Sequence, residues 1–202
     1  MMMPPFRILI CTMFSTLYFV SGVSAQNSDD HRPAYPSETV CPTPLAKIAP
    51  GPWSAQEERA WDKRICLGEI ADLSKRLDNH ENACDPDKAA DWPSDRMLTE
   101  RFVQTVLFHE PFRSAYTRRG FRIRCAKIDQ WLDLTNGRFD HEISFEDSVF
   151  ENPIILQNFR SGGKLSFSES RLHGGLYASG LSVSGNVFLN NAEINGRIKN
   201  KD

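Results

Sequence analysis

The chain has 202 residues, with 24 Lys and Arg against 26 Asp and Glu, a formal net charge of −2. That near-balance argues against electrostatic capture of nucleic acid, which leans on clustered Lys and Arg. An apolar amino terminus and five cysteines point instead to export.

Residues 1–25 have the pattern of a secretory leader. Arg7 precedes an apolar stretch from Ile8 to Val20, and Val23-Ser24-Ala25 places small residues before Gln26. The stretch is shorter than the roughly 20 residues a spanning helix needs. Cleavage near Ala25 would deliver the chain to the periplasm or the extracellular space. Arg7 leaves with the leader, so the mature charge becomes −3. Cys11 lies too early for lipid attachment and reads as leader filler.

Residues 26–53 are proline-dense and lack apolar periodicity, as an extended linker does. Ser54-Ala55-Gln56-Glu57 is a capping box, predicting a helix whose apolar stripe is Trp61, Ile65, Ile70, Leu73 and Leu77. Residues 78–93 are polar and read as a loop. A second helix is expected from about Ser94 to Phe108, with Leu98, Phe102 and Val106 on its apolar face and Pro111 ending it. Residues 54–118 are thus expected to form a helical cap laid over the first turn of a repeat region that starts near residue 119. Cys41, Cys66, Cys84 and Cys125 all precede the first eleven-residue block at Ala126. An even count in an exported chain favours two disulfides, with three pairings open. No CxxC spacing suggests zinc.

From Ala126 the remaining 77 residues divide into seven blocks of eleven. The seventh column is apolar throughout: Leu132, Ile143, Ile154, Leu165, Leu176, Val187 and Ile198. The ninth is Leu134, Phe145, Leu156, Phe167, Ala178 and Leu189, then Asn200. The third is Ile128, Phe139, Phe150, Ser161, Leu172, Val183 and Ile194, and the first is mostly small, with Phe159 and Leu181 as exceptions. Alternation at period two places these side chains on one face of very short strands. Gly163, Gly174, Gly175, Gly185 and Gly196 mark one corner of each block, and Asn136, Asn158, Gly180, Asn190 and Asn191 the other. The fold class is therefore mainly β: a quadrilateral solenoid of 11-residue half-coils over residues 119–202, with an N-terminal α-helical cap. Two blocks per coil suit an interior filled by Phe139, Phe145, Phe150 and Phe167; a flattened coil of one block is the competitor.

The alternation of a small and a central apolar residue at about five-residue intervals resembles the pentapeptide-repeat family of right-handed square β-helices. The run from Gly120 to Ile128, Gly-Phe-Arg-Ile-Arg-Cys-Ala-Lys-Ile, followed by Leu132-Asp133-Leu134, is similar to uncharacterised exported bacterial members. The likeness covers about residues 94–202, with a 5+6 rather than 5+5 spacing, and its motif is structural. It implies a right-handed coil. Some members mimic DNA with a strongly acidic face. The repeats here carry ten acidic and eight basic residues, which does not suit that role.

Residues with catalytic potential are scattered. His109-Glu110 and His141-Glu142 start like a zinc-protease motif, but Arg113 and Phe145 stand where the second histidine belongs. His31, His80 and His173 have no partner in spacing. The 78–82 stretch lacks the glycine and bidentate glutamate of a calcium loop. No phosphate loop or dinucleotide fingerprint occurs, so neither a cofactor nor a metal is expected. Asp129, Asp140 and Glu151 are spaced by eleven but alternate between faces if a coil takes two blocks. Ile155 and Tyr177, 22 apart, share a face near Trp131; ordinary exposed apolar residues are the default reading. The sequence predicts an exported, non-enzymatic scaffold with a protein or envelope partner. The alternative is a polysaccharide-active or polysaccharide-binding β-helix. The last block ends in polar residues only, Lys199 to Asp202, so the expectation is either a longer solenoid or end-to-end self-association through the uncapped coil.

Overall fold

The computed structural model describes Cys41 and residues 52–74 and 84–196. The leader, most of the linker, Leu77, the 78–83 stretch and Ile198 lie outside the described residues. Helix α1 (Ala55–Ala60) runs into a π-helical turn (Trp61–Ile65), and strand β1 (Ala71–Asp72) comes next. Short 3-10 turns at Pro86–Asp91 and Ser94–Arg96 lead to helix α2 (Glu100–Phe108), and a further turn (Arg113–Ala115) precedes the strands.

The strands build a parallel β-solenoid of about three turns. Its four sheets are β1, β2 (Phe121–Arg124), β6 (Ile143–Glu146), β10 (Leu165–Ser166) and β14 (Val187–Phe188); β3 (Lys127–Ile128), β7 (Val149–Phe150), β11 (Arg171–Leu172) and β15 (Glu193–Ile194); β4 (Leu132–Asp133), β8 (Ile154–Ile155) and β12 (Leu176–Tyr177); and β5 (Arg138–Phe139), β9 (Arg160–Ser161) and β13 (Ser182–Val183). Every pairing between coils joins residues 22 apart, as in Ile143 with Leu165 and Leu165 with Val187. A coil therefore takes two blocks, and the flattened alternative falls.

The corners explain the period. The last residue of each of the first six blocks adopts the left-handed conformation: Asn136, Asp147, Asn158, Glu169, Gly180 and Asn191, with Cys125 before the first block. Asn and Gly are the expected occupants. Asp147 is also a tolerated occupant, whereas Glu169 and Cys125 are not, and coil geometry imposes the conformation on them. The opposite corner is set by close approach. A Cβ on Gly174 would lie 2.2 Å from the carbonyl carbon of Asn152 in the coil beneath.

Inward columns form one core. Phe145 and Phe167 stack with ring centroids 5.9 Å apart and planes 5° apart, and Phe150 packs edge-on against both. The two lapses compensate one another. Ser161 is buried in an apolar column and donates its hydroxyl to the Gly163 carbonyl at 3.1 Å, while Phe159, in the column of small residues, is fully buried. Volume removed at one position is supplied two residues away, which keeps the interior packed.

The cap departs from expectation in two places. The first helix stops near Cys66, where Gly68 turns the chain with a positive φ, so Ile70 and Leu73 are not part of a helical stripe. Ile70 is exposed, and the adjacent Ala71–Asp72 pairs with Ile123 and Arg124 as an added strand. Propensity favoured a longer helix; backbone pairing with a free strand edge won. The second helix begins at Glu100, because Thr99 caps it through Phe102 N–H and Met97 is drawn into a bridge with Lys127. The capping box at Ser54 and Glu57 forms as expected.

Glu57 also reaches across to the second helix. It is buried, and its carboxylate accepts from Thr99 N–H at 2.8 Å and the Thr99 hydroxyl at 2.6 Å, besides Ser54 N–H. One carboxylate thus satisfies groups at two helix N-termini, where partial positive charge favours it. Disulfides join Cys41 to Cys66 and Cys84 to Cys125, with Cα–Cα distances of 5.8 and 5.6 Å. This resolves the three pairings left open and points to an oxidising compartment.

Candidate interaction surfaces

The first coil presents four strand edges, and the cap closes each by a different means. Strand β1 pairs with β2. Met97 bridges Lys127, and Leu98 N–H donates to the Lys127 carbonyl at 3.0 Å. At β4 no strand is available, so side chains of α2 stand in. Glu100 accepts from Asp133 N–H at 3.2 Å, and Gln104 donates to the Asp133 carbonyl at 2.7 Å. Beneath β5, Gly137 leaves room for the Phe108 ring, which packs against Phe159 of the next coil at 6.4 Å. Phe108 occupies the place of a missing coil's side chain.

A strap runs from Cys84 over the second sheet. The Cys84–Cys125 disulfide anchors its start, and Asp87 takes both Arg171 Nε at 2.7 Å and Nη2 at 3.0 Å. Between these anchors lies Val149, whose column faces outward and which is nevertheless fully buried. The outward columns are therefore not uniformly solvated.

The last coil is different. Among the described residues no strand pairs with the outer edges of β12, β13, β14 and β15. Val187, Leu189 and Ile194 are 46%, 39% and 43% exposed, although their columns are buried in earlier coils. The column pattern predicts Val187 and Leu189 in the core; they occupy inward positions on which no described residue stacks. Leu176 is only partly buried, while Leu132, Leu134, Ile143, Phe145, Ile154, Leu156, Leu165 and Phe167 are all buried. Charge thins in parallel. Residues 131–152 hold seven charged side chains, 153–174 four, and 175–196 only Glu193.

The acidic trio does not converge. Asp129 and Glu151 lie one coil apart on the same side, and Asp140 is on another, bound to Arg138 at 2.8 Å. Hydrogen bonding and charge from Arg138 hold Asp140 below the usual carboxylate range despite a small opposing effect of burial. Burial pushes Glu151 upward, but hydrogen bonds from Lys127 at 2.9 Å and His173 at 3.1 Å, with their charges, bring it below its ordinary value. His141 packs against Tyr116 and Phe139. No group of three or more His, Cys, Asp or Glu with metal-binding geometry occurs among the described residues.

Trp131 is 57% exposed and stands at the start of the third sheet. Its column continues, one residue per coil, through Pro153 and Gly175. Ile155 and Tyr177 pair in register on the same face. The Tyr177 ring lies within 3.8 Å of where a Gly175 Cβ would be, so the ring leans into the Trp131 column. Reading the sequence at 22-residue spacing finds Pro153 and Gly175; reading it block by block misses them.

Comparison with family models, with curated proteins and with solved structures finds no match.

Proposed function

We propose that the protein is an exported, non-enzymatic β-solenoid scaffold that associates through its C-terminal coil, end to end with a second copy. The nearly uncharged coil 175–196, on whose outer edges no described strand stacks, carries this reading. Solenoid and sheet edges that must stay alone are blunted by charge, proline or a covering element. Coil 175–196 has one charge and no proline, and exposes three large apolar side chains where earlier coils are stacked. The opposite end is closed by the cap, so a head-to-tail stack is blocked and like ends must meet. Such contact closes on itself as a two-fold pair. Glu193 is the one charge in that coil, so the coil itself adds little repulsion between copies. The leader pattern of residues 1–25 and the two disulfides support export, and the alternation of small and central apolar residues supports kinship with pentapeptide-repeat proteins, from whose 5+5 spacing the 5+6 repeat departs.

Light scattering on the full, disulfide-bonded chain across a concentration range tests the association. The expected result is a dimer mass that reverts to monomer when Val187 and Leu189 are both changed to Lys. A wild-type monomer at every concentration overturns it. Turnover of a cell-wall polysaccharide, abolished by Asp140→Asn or Glu151→Gln, would overturn the non-enzymatic assignment. A second reading, a polysaccharide-binding envelope protein, draws on the exposed aromatic row at Trp131.

A further inference from the structure

The geometry points to the outer face of the third sheet as a binding platform for an extended, neutral glycan chain, with Trp131 and Tyr177 as its stacking rings. The inference deepens the second reading above by naming the face and the ligand class, and it does not depend on end-to-end association.

Trp131 carries a large apolar ring that water surrounds on most sides, and among the described residues it contacts no other ring. An exposed indole joins an apolar face to a polar N–H edge, the combination that is enriched at binding interfaces. Tyr177 stands two coils away, and rungs of a parallel sheet are about 4.8 Å apart, so the two rings are separated by about 10 Å along the axis. Pro153 lies between them in the same column, and Ile155 beside it is half-buried. Ile155 and Tyr177 are held by backbone pairing on the strands of this sheet, and Trp131, Pro153 and Gly175 each stand immediately before one of those strands.

The chemistry at its margin separates ligand classes. Polar side chains without charge line each rung, in the exposed Thr135, Gln157 and Ser179. They supply hydroxyl and amide groups that exchange hydrogen bonds with sugar hydroxyls. The one carboxylate on the strand row, Asp133, accepts from Thr135 N–H at 2.9 Å and so has a local partner. No Lys or Arg stands among these positions, which removes the attraction a polyanion needs. An extended glycan offers apolar C–H faces to rings and hydroxyl edges to the rim. Rings two rungs apart would stack on alternate sugars of a β-linked chain.

The test titrates the full, disulfide-bonded chain with chitohexaose and cellohexaose, with polygalacturonate as the acidic comparison. Calorimetry and tryptophan fluorescence are the readouts. Binding of at least one neutral hexaose is expected, with weaker binding of the polyanion. Trp131→Ala should weaken binding by roughly a hundredfold and Tyr177→Ala by roughly tenfold, as loss of a ring contact and its area implies. Trp131→Phe should restore part of the affinity, and Trp92→Phe should leave the fluorescence response in place. Trp131 is a surface residue, so an unchanged circular dichroism spectrum separates lost binding from lost fold. No binding by wild type at millimolar hexaose, preferred binding of polygalacturonate, or full affinity in Trp131→Ala overturns the proposal. Light scattering on the same samples reads the association separately, so either idea can fail alone.

Discussion

The two ends of one solenoid solve the same physical problem in opposite ways. At the start, four strand edges and an apolar layer are covered by a strand, a bridge, two side chains of α2 and one phenylalanine ring. In the last described coil, the same columns reach Val187, Leu189 and Ile194 with their faces exposed. The difference shows that an inward column position does not make a core residue. Burial in a repeat protein is conferred by the next repeat.

The sharpest way to break that comparison uses two leucines of the ninth column. Leu156 is fully buried and Leu189 is 39% exposed. Leu156→Ala should cost about 2–5 kcal/mol by loss of buried area and the cavity left behind. Leu189→Ala should cost less than about 1 kcal/mol in dilute solution. Urea unfolding of both variants checks it, and equal losses would mean that the last coil is covered.

A smaller effect is expected at the cap. Glu57→Ala removes a buried carboxylate that holds two helix starts together, and leaves Thr99 N–H without its acceptor. The loss should be about 2–3 kcal/mol, from charged hydrogen bonds and an orphaned donor. A matching loss of amide protection along β2 and β4, but not β14, would show by hydrogen exchange that the cap protects the first coil.

The smallest effect lies on the outer surface between the ends. Glu151 is held below its ordinary value of 4.5 by Lys127 and His173, so its contribution is present above that value and fades as pH falls through its lower folded one. Glu151→Gln should therefore flatten the stability profile at acid pH, with little change near pH 2. It is partly exposed, so the expected change is small and shrinks with salt. Acid titrations of both proteins, monitored by circular dichroism, measure it.

Much of the fold is legible before any coordinates. An eleven-residue repeat with apolar columns three, seven and nine leaves little choice but stacked short strands, because period-two alternation must face one interior. Capping chemistry at Ser54 is local and equally readable. The candidate surfaces are less so. Ile155 and Tyr177 are visible as a pair, but Pro153 and Gly175 join Trp131 only once a coil is known to take two blocks. Val149 reads as an outward residue and is buried, beside a strap whose contact, Asp87 with Arg171, joins residues 84 apart.

The sequence alone determined the repeat length, the inward columns and the Asn and Gly corners, because these arise from spacing and backbone sterics. Tertiary structure alone decided the disulfide pairing, the end of α1 and the strand at Ala71–Asp72. It also decided which inward residues are dry. These depend on which edge or face comes to lie beside them, and contact across distant segments leaves no periodic trace in the chain.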